Sequence, residues 1–294
     1  MHDPRSETMS NGFFRTHDGL KLYYERHGQG PALVCCNGIG VSTFFWRYIR
    51  DYFQDRCSVV LWDYRGHNRS ESPTDLTALT MSDNVKDLLA LLDHLDLPQA
   101  VLLGHSMGVQ VILECSRQAP DRCRALVPML GTYGTPMKTF FGNDLIERFF
   151  PVLFHLGSRV DSRPLLRPLM NTTLLYHGAR LTSMINPQYC PREDMEPYFD
   201  HLRRMDPRIF LHMAKFMNSH TSFSHLSQIT QPTLIVAAEK DYFTPLYLSR
   251  KMHKLIRGSE LLVIRKGSHA ALVEHPELIN LRLDKFLREK VGLC

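Results

Sequence analysis

The stretch 101-VLLGHSMGVQVIL-113 places a lone serine where an apolar run turns through Gly104-His105-Ser106-Met107-Gly108 and resumes as a second apolar run. In G-x-S-x-G at a strand-to-helix turn, the glycines permit a sharp bend that lifts the serine hydroxyl above the sheet edge. A serine hydroxyl alone is a poor nucleophile, so the chemistry needs a general base and an acid to hold that base's tautomer. Both residue types follow later apolar runs. Carboxylates stand at Glu239 and Asp241 after 233-TLIVAA-238, and His269 stands after 260-ELLVI-264 in 265-RKGSHA-270. Such a set would attack an acyl carbonyl.

Positioning three residues this far apart in the chain requires a scaffold that brings several strand ends together. Short runs that are apolar on both faces, 32-ALVCC-36, 58-SVVLW-62, 100-AVLLG-104, 125-ALVPML-130, 233-TLIVAA-238 and 260-ELLVI-264, read as buried parallel strands. Amphipathic helical stretches separate them, at 44–53, 82–95, 107–118, 246–256 and 276–290, with Ser82 as the expected N-cap of the second. Ahead of them, 13-FFRT-16 and 20-LKLYYER-26 flank Asp18-Gly19 and predict an antiparallel hairpin. The alternation predicts a mostly parallel central sheet with helices on both faces. Ligands bind such a sheet beyond the carboxyl ends of its strands, where Ser106, Asp241 and His269 fall.

Between about 132 and 228 the alternation stops. Helical patterns at 144–156, 193–205 and 207–219 predict an inserted helical cap, because a structureless loop of that length does not fit a compact domain. The expected organisation is therefore a core of residues 1–131 and 229–294 carrying a cap of residues 132–228. Eight of the thirteen methionines lie from Met129 to Met217, and polarizable Met suits both adaptable pockets and ordinary cores.

Composition bounds the function class. The chain has 294 residues, 44% hydrophobic and 22% charged, enough for a sizeable core. A net charge of +5 comes from scattered Lys and Arg, which argues against nucleic acid as a partner. No apolar run is long enough to span a bilayer, and the first residues lack the apolar centre of a signal peptide, so stable membrane insertion is not expected and a cytoplasmic location is. The seven cysteines match no zinc or redox spacing and read as small core residues. No metal or cofactor is expected, and the anticipated partner is a small-molecule substrate.

NGIG after the first core strand, DYRGHNRS after the next, GHSMG, AAEKDYFTP and KGSHA occur in the order found in the α/β-hydrolase fold superfamily, which the chain resembles from about residue 13 to its C-terminus. The resemblance implies Ser106 as nucleophile, His269 as base, and Asp241 rather than Glu239 as orienting acid. It also implies an oxyanion hole from the backbone N–H groups of Ile39 and Met107, which side-chain substitution would not remove. It points away from epoxide hydrolase or dehalogenase chemistry, for which relatives carry an aspartate at the elbow. Two positions depart from the pattern: Asn37 replaces a histidine common before the oxyanion glycine, and Asn68 replaces a glycine. Asn tolerates positive φ, so the second turn can survive.

Trp46, His105 and Phe243 are expected to border the substrate, with Phe44 and Phe45 as neighbours of the first. His253 and His275 read as surface residues, and Arg203 and Arg204 as a solvated helix face. The activity expected is cleavage of a carboxylic ester of a small, largely apolar substrate through an acyl-enzyme. Carbon–carbon bond hydrolysis, as of a β-diketone or a ring-cleavage product, and lactone hydrolysis use the same set, and a ligand receptor that retains the triad is the alternative of another class.

Overall fold

A computed structural model describes residues 9–159 and 172–293. Its strands are β1 (Met9–Arg15), β2 (Lys21–His27), β3 (Ala32–Cys36), β4 (Ser58–Trp62), β5 (Ala100–His105), β6 (Cys123–Met129), β7 (Leu234–Ala238) and β8 (Glu260–Ile264). They form one sheet in the order β1-β2-β4-β3-β5-β6-β7-β8. From β4 to β8 all neighbours are parallel. The hairpin β1-β2 is antiparallel and joins the sheet by antiparallel pairing of β2 with β4. Its turn closes through Thr16 N–H donating to the Leu20 carbonyl at 2.9 Å, with Gly19 at φ 89.

The central strands are buried along their whole length because both faces are covered. Successive side chains point to opposite faces, so Leu33, Cys35, Val59, Leu61, Val101 and Leu103 enter one apolar cluster. Their neighbours Val34, Cys36, Val60, Trp62, Ala100 and Leu102 enter the other.

Among the described residues, the α-helices of seven residues or more are α1 (Arg47–Phe53), α2 (Met81–His94), α3 (Met107–Gln118), α4 (Leu145–Gly157), α5 (Thr172–Leu181), α6 (Arg192–Arg204), α7 (Pro207–Ser219), α8 (Leu246–Leu255) and α9 (Pro276–Phe286). Helix α1 and α9 supply the first cluster, through Ile49, Phe53, Ile279 and Leu283. Helices α2 and α3 supply the second, through Leu88, Leu92, Val111 and Ile112.

Several boundaries differ from the sequence expectation. Thr80, not Ser82, caps α2: its hydroxyl accepts from Asp83 N–H while the Asp83 carboxylate accepts from Thr80 N–H, a reciprocal pair that Ser82 cannot form from inside the first turn. Strand β1 begins at Met9 because residues 9–12 continue the pairing with β2. Helix α5 had no counterpart in the sequence reading.

Helices α4 to α7 all lie between β6 and β7, so the insertion at this point is mainly helical among the described residues. Cys35, Cys36, Cys57, Cys115, Cys123 and Cys190 are buried, as expected of core residues. Cys294 and Met170 lie outside the described residues. Among the described residues, no helix is long and apolar enough to cross a membrane.

Candidate active site

Ser106 lies between the end of β5 and the first residue of α3 with φ 54 and ψ −115, a backbone that L-residues rarely adopt. Local sequence explains how the bend is possible. A Cβ on Gly108 would stand 2.1 Å from the Cys36 carbonyl oxygen, and one on Gly104 would stand 2.4 Å from the Gly108 carbonyl oxygen. Backbone thus packs against backbone on both sides of the serine, which only glycine allows.

The turn after β7 carries Asp241, and the turn after β8 carries His269. His269 Nε2 is 3.0 Å from Ser106 Oγ, and its Nδ1 is 2.9 Å from Asp241 Oδ2. The structure therefore brings together all three residues singled out in the sequence. Asp241 is 2% exposed and accepts N–H bonds from Phe243 and Thr244 and an O–H bond from Thr244, which hold its carboxylate in one orientation. Glu239 faces elsewhere and accepts from Lys266 N–H. His253 contacts Ser259, and His275 stacks on Tyr189, so neither approaches Ser106.

The amide N–H groups of Ile39 and Met107 have no hydrogen-bond partner among the described residues, and both residues border the cavity that contains Ser106. This cavity of about 160 Å³ is walled mainly by apolar side chains. The sheet side contributes Phe45, His105 and Phe243, while Met184, Met195 and Met217 come from the insertion. Among the described methionines of the insertion, these three and Met137 line the cavity, Met195 and Met217 also packing in the core, whereas Met205 and Met213 pack in the core without lining it. Arg203 and Arg204 stay outside it, and Arg203 pairs with Asp200.

Trp46 does not border the cavity. It is fully buried, and its Nε1 donates to Asn37 Oδ1 at 2.7 Å, while Asn37 Nδ2 donates to the Trp62 carbonyl at 2.6 Å. The indole N–H had to find a buried acceptor, and Asn37 supplies it. Phe45 takes the cavity position instead, stacked at 4.7 Å from His105. Asn37, one of the two departures from the family pattern, therefore ties the Ile39 loop to β4 and to Trp46. The other departure, Asn68, adopts φ 43, as its residue type permits.

His105 lies behind the serine, its Nε2 3.2 Å from the His269 carbonyl oxygen. Burial pushes its pKa down to about 3, so the ring is neutral and Nε2 carries the donated proton.

His67 was not singled out in the sequence. Its Nε2 accepts from Gly40 N–H at 3.1 Å, which leaves the ring proton on Nδ1 to donate to the Arg65 carbonyl at 3.0 Å. This neutral imidazole pins the NGIG loop. Arg65 is anchored in turn by bidentate contacts to Asp87 and further contacts to Asp18. The signal was present in DYRGHNRS, but hydrogen bonding across 27 residues is invisible in a linear reading.

Burial lowers the His67 pKa from 6.5 to about 4. A depressed histidine contributes stability that is fully present above pH 6.5 and lost as pH falls through about 4. The contribution is on the order of 3 kcal/mol. Asp63 and Asp87, raised to about 6 by burial, act in the opposite direction, losing their contribution as pH rises. Comparison with His67→Gln isolates the imidazole: wild type should lose more unfolding free energy than the variant between pH 6.5 and 4, measured by urea denaturation. Equal losses would mean that His67 does not carry the acid sensitivity.

A profile of the alpha/beta hydrolase fold matches residues 31–276. The chain belongs to the α/β-hydrolase family, and it is a hydrolase of that class. It is 25% identical over 281 residues to the uncharacterized hydrolase YugF of Bacillus subtilis, covering 93% of this chain and 96% of the relative. It is 26% identical to the bifunctional epoxide hydrolase 2 of Mus musculus, over 96% of this chain and 56% of that longer protein. Among solved structures, the esterase EaEST from Exiguobacterium antarcticum superposes with a TM-score of 0.78 at 19% identity, covering 94% of this chain and 99% of that one.

Proposed function

We propose that the protein is a serine carboxylesterase acting on a small, largely apolar acyl substrate without a cofactor, with residues 132–228 as a cap over a core of 1–131 and 229–294. The observation that carries this reading is the continuous contact from Ser106 Oγ to His269 Nε2 and from His269 Nδ1 to Asp241. Proton transfer from Ser106 to His269 accompanies attack on the carbonyl carbon. The resulting oxyanion is held by the free amides of Ile39 and Met107, one such donor being worth about 2.7–4 kcal/mol. His269 then protonates the leaving alcohol, activates a water, and returns its proton to Ser106 as the acyl group departs. Asp241 stabilises the imidazolium during both halves.

A serine at the elbow supports acyl chemistry over the epoxide opening in the name of the mouse relative. The mostly apolar wall, with methionines from the insertion, supports an apolar acyl or alcohol group. The test is a panel of esters, lactones, thioesters and β-diketones compared by kcat/KM. Esters should lead the panel with multiple turnovers. A lactone or β-diketone turned over faster than every ester would replace this reading, and binding without multiple turnover would favour a receptor.

Glu274 gives a second prediction. It is buried, and it accepts from Ser268 N–H at 2.9 Å, from the Ser268 hydroxyl, and from Asn186 N–H at 2.6 Å. Ala270 N–H donates to the Met184 carbonyl at 3.0 Å beside this cluster. The carboxylate thereby clamps the His269 turn to the insertion. Glu274→Gln would press an amide NH₂ against a backbone N–H, so kcat should fall about 10- to 10²-fold through misplacement of His269. Glu274→Asp should recover part of the loss. Stopped-flow or steady-state ester assays with circular dichroism check both, and an unchanged kcat in Glu274→Gln would remove Glu274 from the positioning of His269.

A further inference from the structure

Gln110 stands on α3 one helical turn beyond Ser106 and contributes to the cavity wall, although it is only 1% exposed. Its Nε2 donates to the Met217 carbonyl of α7 at 3.1 Å. A carbonyl only accepts, so this contact identifies the two ends of the carboxamide and leaves Oε1 as the other end. Oε1 is buried and has no hydrogen-bond partner among the described residues. Met107, Met137, Phe210, Ala214 and Met217 are among the apolar residues that line the same cavity. The nearby Thr132 hydroxyl lies 3.4 Å from the Gly134 carbonyl oxygen and so is engaged within its own turn.

A second acceptor faces the same need. His105 donates through Nε2, so its Nδ1 carries a lone pair, and that atom is also buried without a partner. Both unmatched groups are acceptors, and both belong to residues that border the cavity. Leaving a buried acceptor unpaired is costly, and a ligand donor that pairs with it recovers the cost only when it is present. Sites built in this way discriminate strongly between a ligand with a hydroxyl and the same ligand without one.

We propose that Gln110 Oε1 is a specificity contact that accepts a hydrogen bond from a hydroxyl on the substrate, making hydroxylated chains, rather than plain hydrocarbon chains, the preferred occupants of the cavity. The inference rests on the serine-hydrolase reading of the same cavity. One turn of helix separates the two residues, about 6 Å along α3, so the hydroxyl belongs on the arm that runs along this helix and not at the reacting carbonyl.

The experiment uses alkyl fluorophosphonates of increasing chain length, each paired with its terminally hydroxylated counterpart. Labelling rates of Ser106 are followed by intact-protein mass spectrometry in wild type and Gln110→Met. At one chain length the hydroxylated probe should label wild type about 10-fold faster or more than its alkyl partner. In Gln110→Met the two rates should converge. No hydroxyl preference at any length in wild type overturns the proposal, whatever the variant does. A preference that persists in Gln110→Met also overturns it, by assigning the contact to another group such as His105. Labelling needs a nucleophilic serine but no ester turnover: if the preference is found while every ester fails, the esterase reading falls and this contact stands. If no probe labels wild type, both fall.

Discussion

Ser106→Ala should lower kcat/KM for the best ester by about 10⁴- to 10⁶-fold and abolish fluorophosphonate labelling. The size of the effect follows from what the structure leaves behind. Without Oγ, the His269–Asp241 pair and the free amides of Ile39 and Met107 remain, so a small residual rate over water is expected from oxyanion binding alone. The substitution removes one partly exposed atom from a bend whose shape is set by Gly104 and Gly108, and so should leave stability within about 0.5 kcal/mol. Steady-state kinetics and thermal denaturation of the same preparation separate the two effects. A variant that folds normally and hydrolyses esters at the wild-type rate would eliminate the serine mechanism.

The second large effect is expected at the acid. Asp241→Asn should reduce kcat by about 10⁴-fold with little change in fold. The carboxylate now accepts from Phe243 N–H, Thr244 N–H and the Thr244 hydroxyl while its Oδ2 also receives His269 Nδ1–H. An asparagine has one acceptor oxygen where the aspartate has two. If that oxygen serves the two backbone N–H groups at the Oδ1 position, the NH₂ group points at His269 and the Thr244 hydroxyl. His269 then turns its lone pair on Nδ1 toward the amide and carries its proton on Nε2, where it cannot accept from Ser106. The pH–rate profile of the variant should show activity recovering at high pH, where hydroxide substitutes for the missing base. Retention of wild-type kcat at neutral pH would point to Glu239 or another carboxylate as the orienting group.

Periodicity and punctuation made much of this molecule legible in advance. Continuous apolar runs identified the strands that are covered on both faces, and Asp18-Gly19 identified the hairpin that precedes them. The two glycines around Ser106 announced the bend because the steric requirement is local: no other residue could let the Cys36 and Gly108 carbonyls approach so closely. Asn68 is legible for the same reason, since the capacity for positive φ belongs to a single residue.

Partners chosen across the fold escaped that reading. Trp46 looked like a pocket residue because aromatic runs border many cavities, yet its indole N–H is spent on Asn37, and Phe45 takes the wall position. Thr80 displaced Ser82 as the cap of α2 through its reciprocal pairing with Asp83, a choice between two hydroxyl residues that only hydrogen-bond geometry separates. His67, Glu274 and Gln110 act through bonds spanning 27, 88 and 107 residues, to Gly40, Asn186 and Met217.

The division has one physical cause. Strand, helix and elbow depend on side-chain size, branching and backbone freedom within a few residues, and these are properties of the chain. The clamp on the His269 turn, the pin on the NGIG loop and the unpaired oxygen of Gln110 depend on which buried donor meets which acceptor after distant segments pack. Burial makes each of those pairings matter, and packing alone brings the partners within reach.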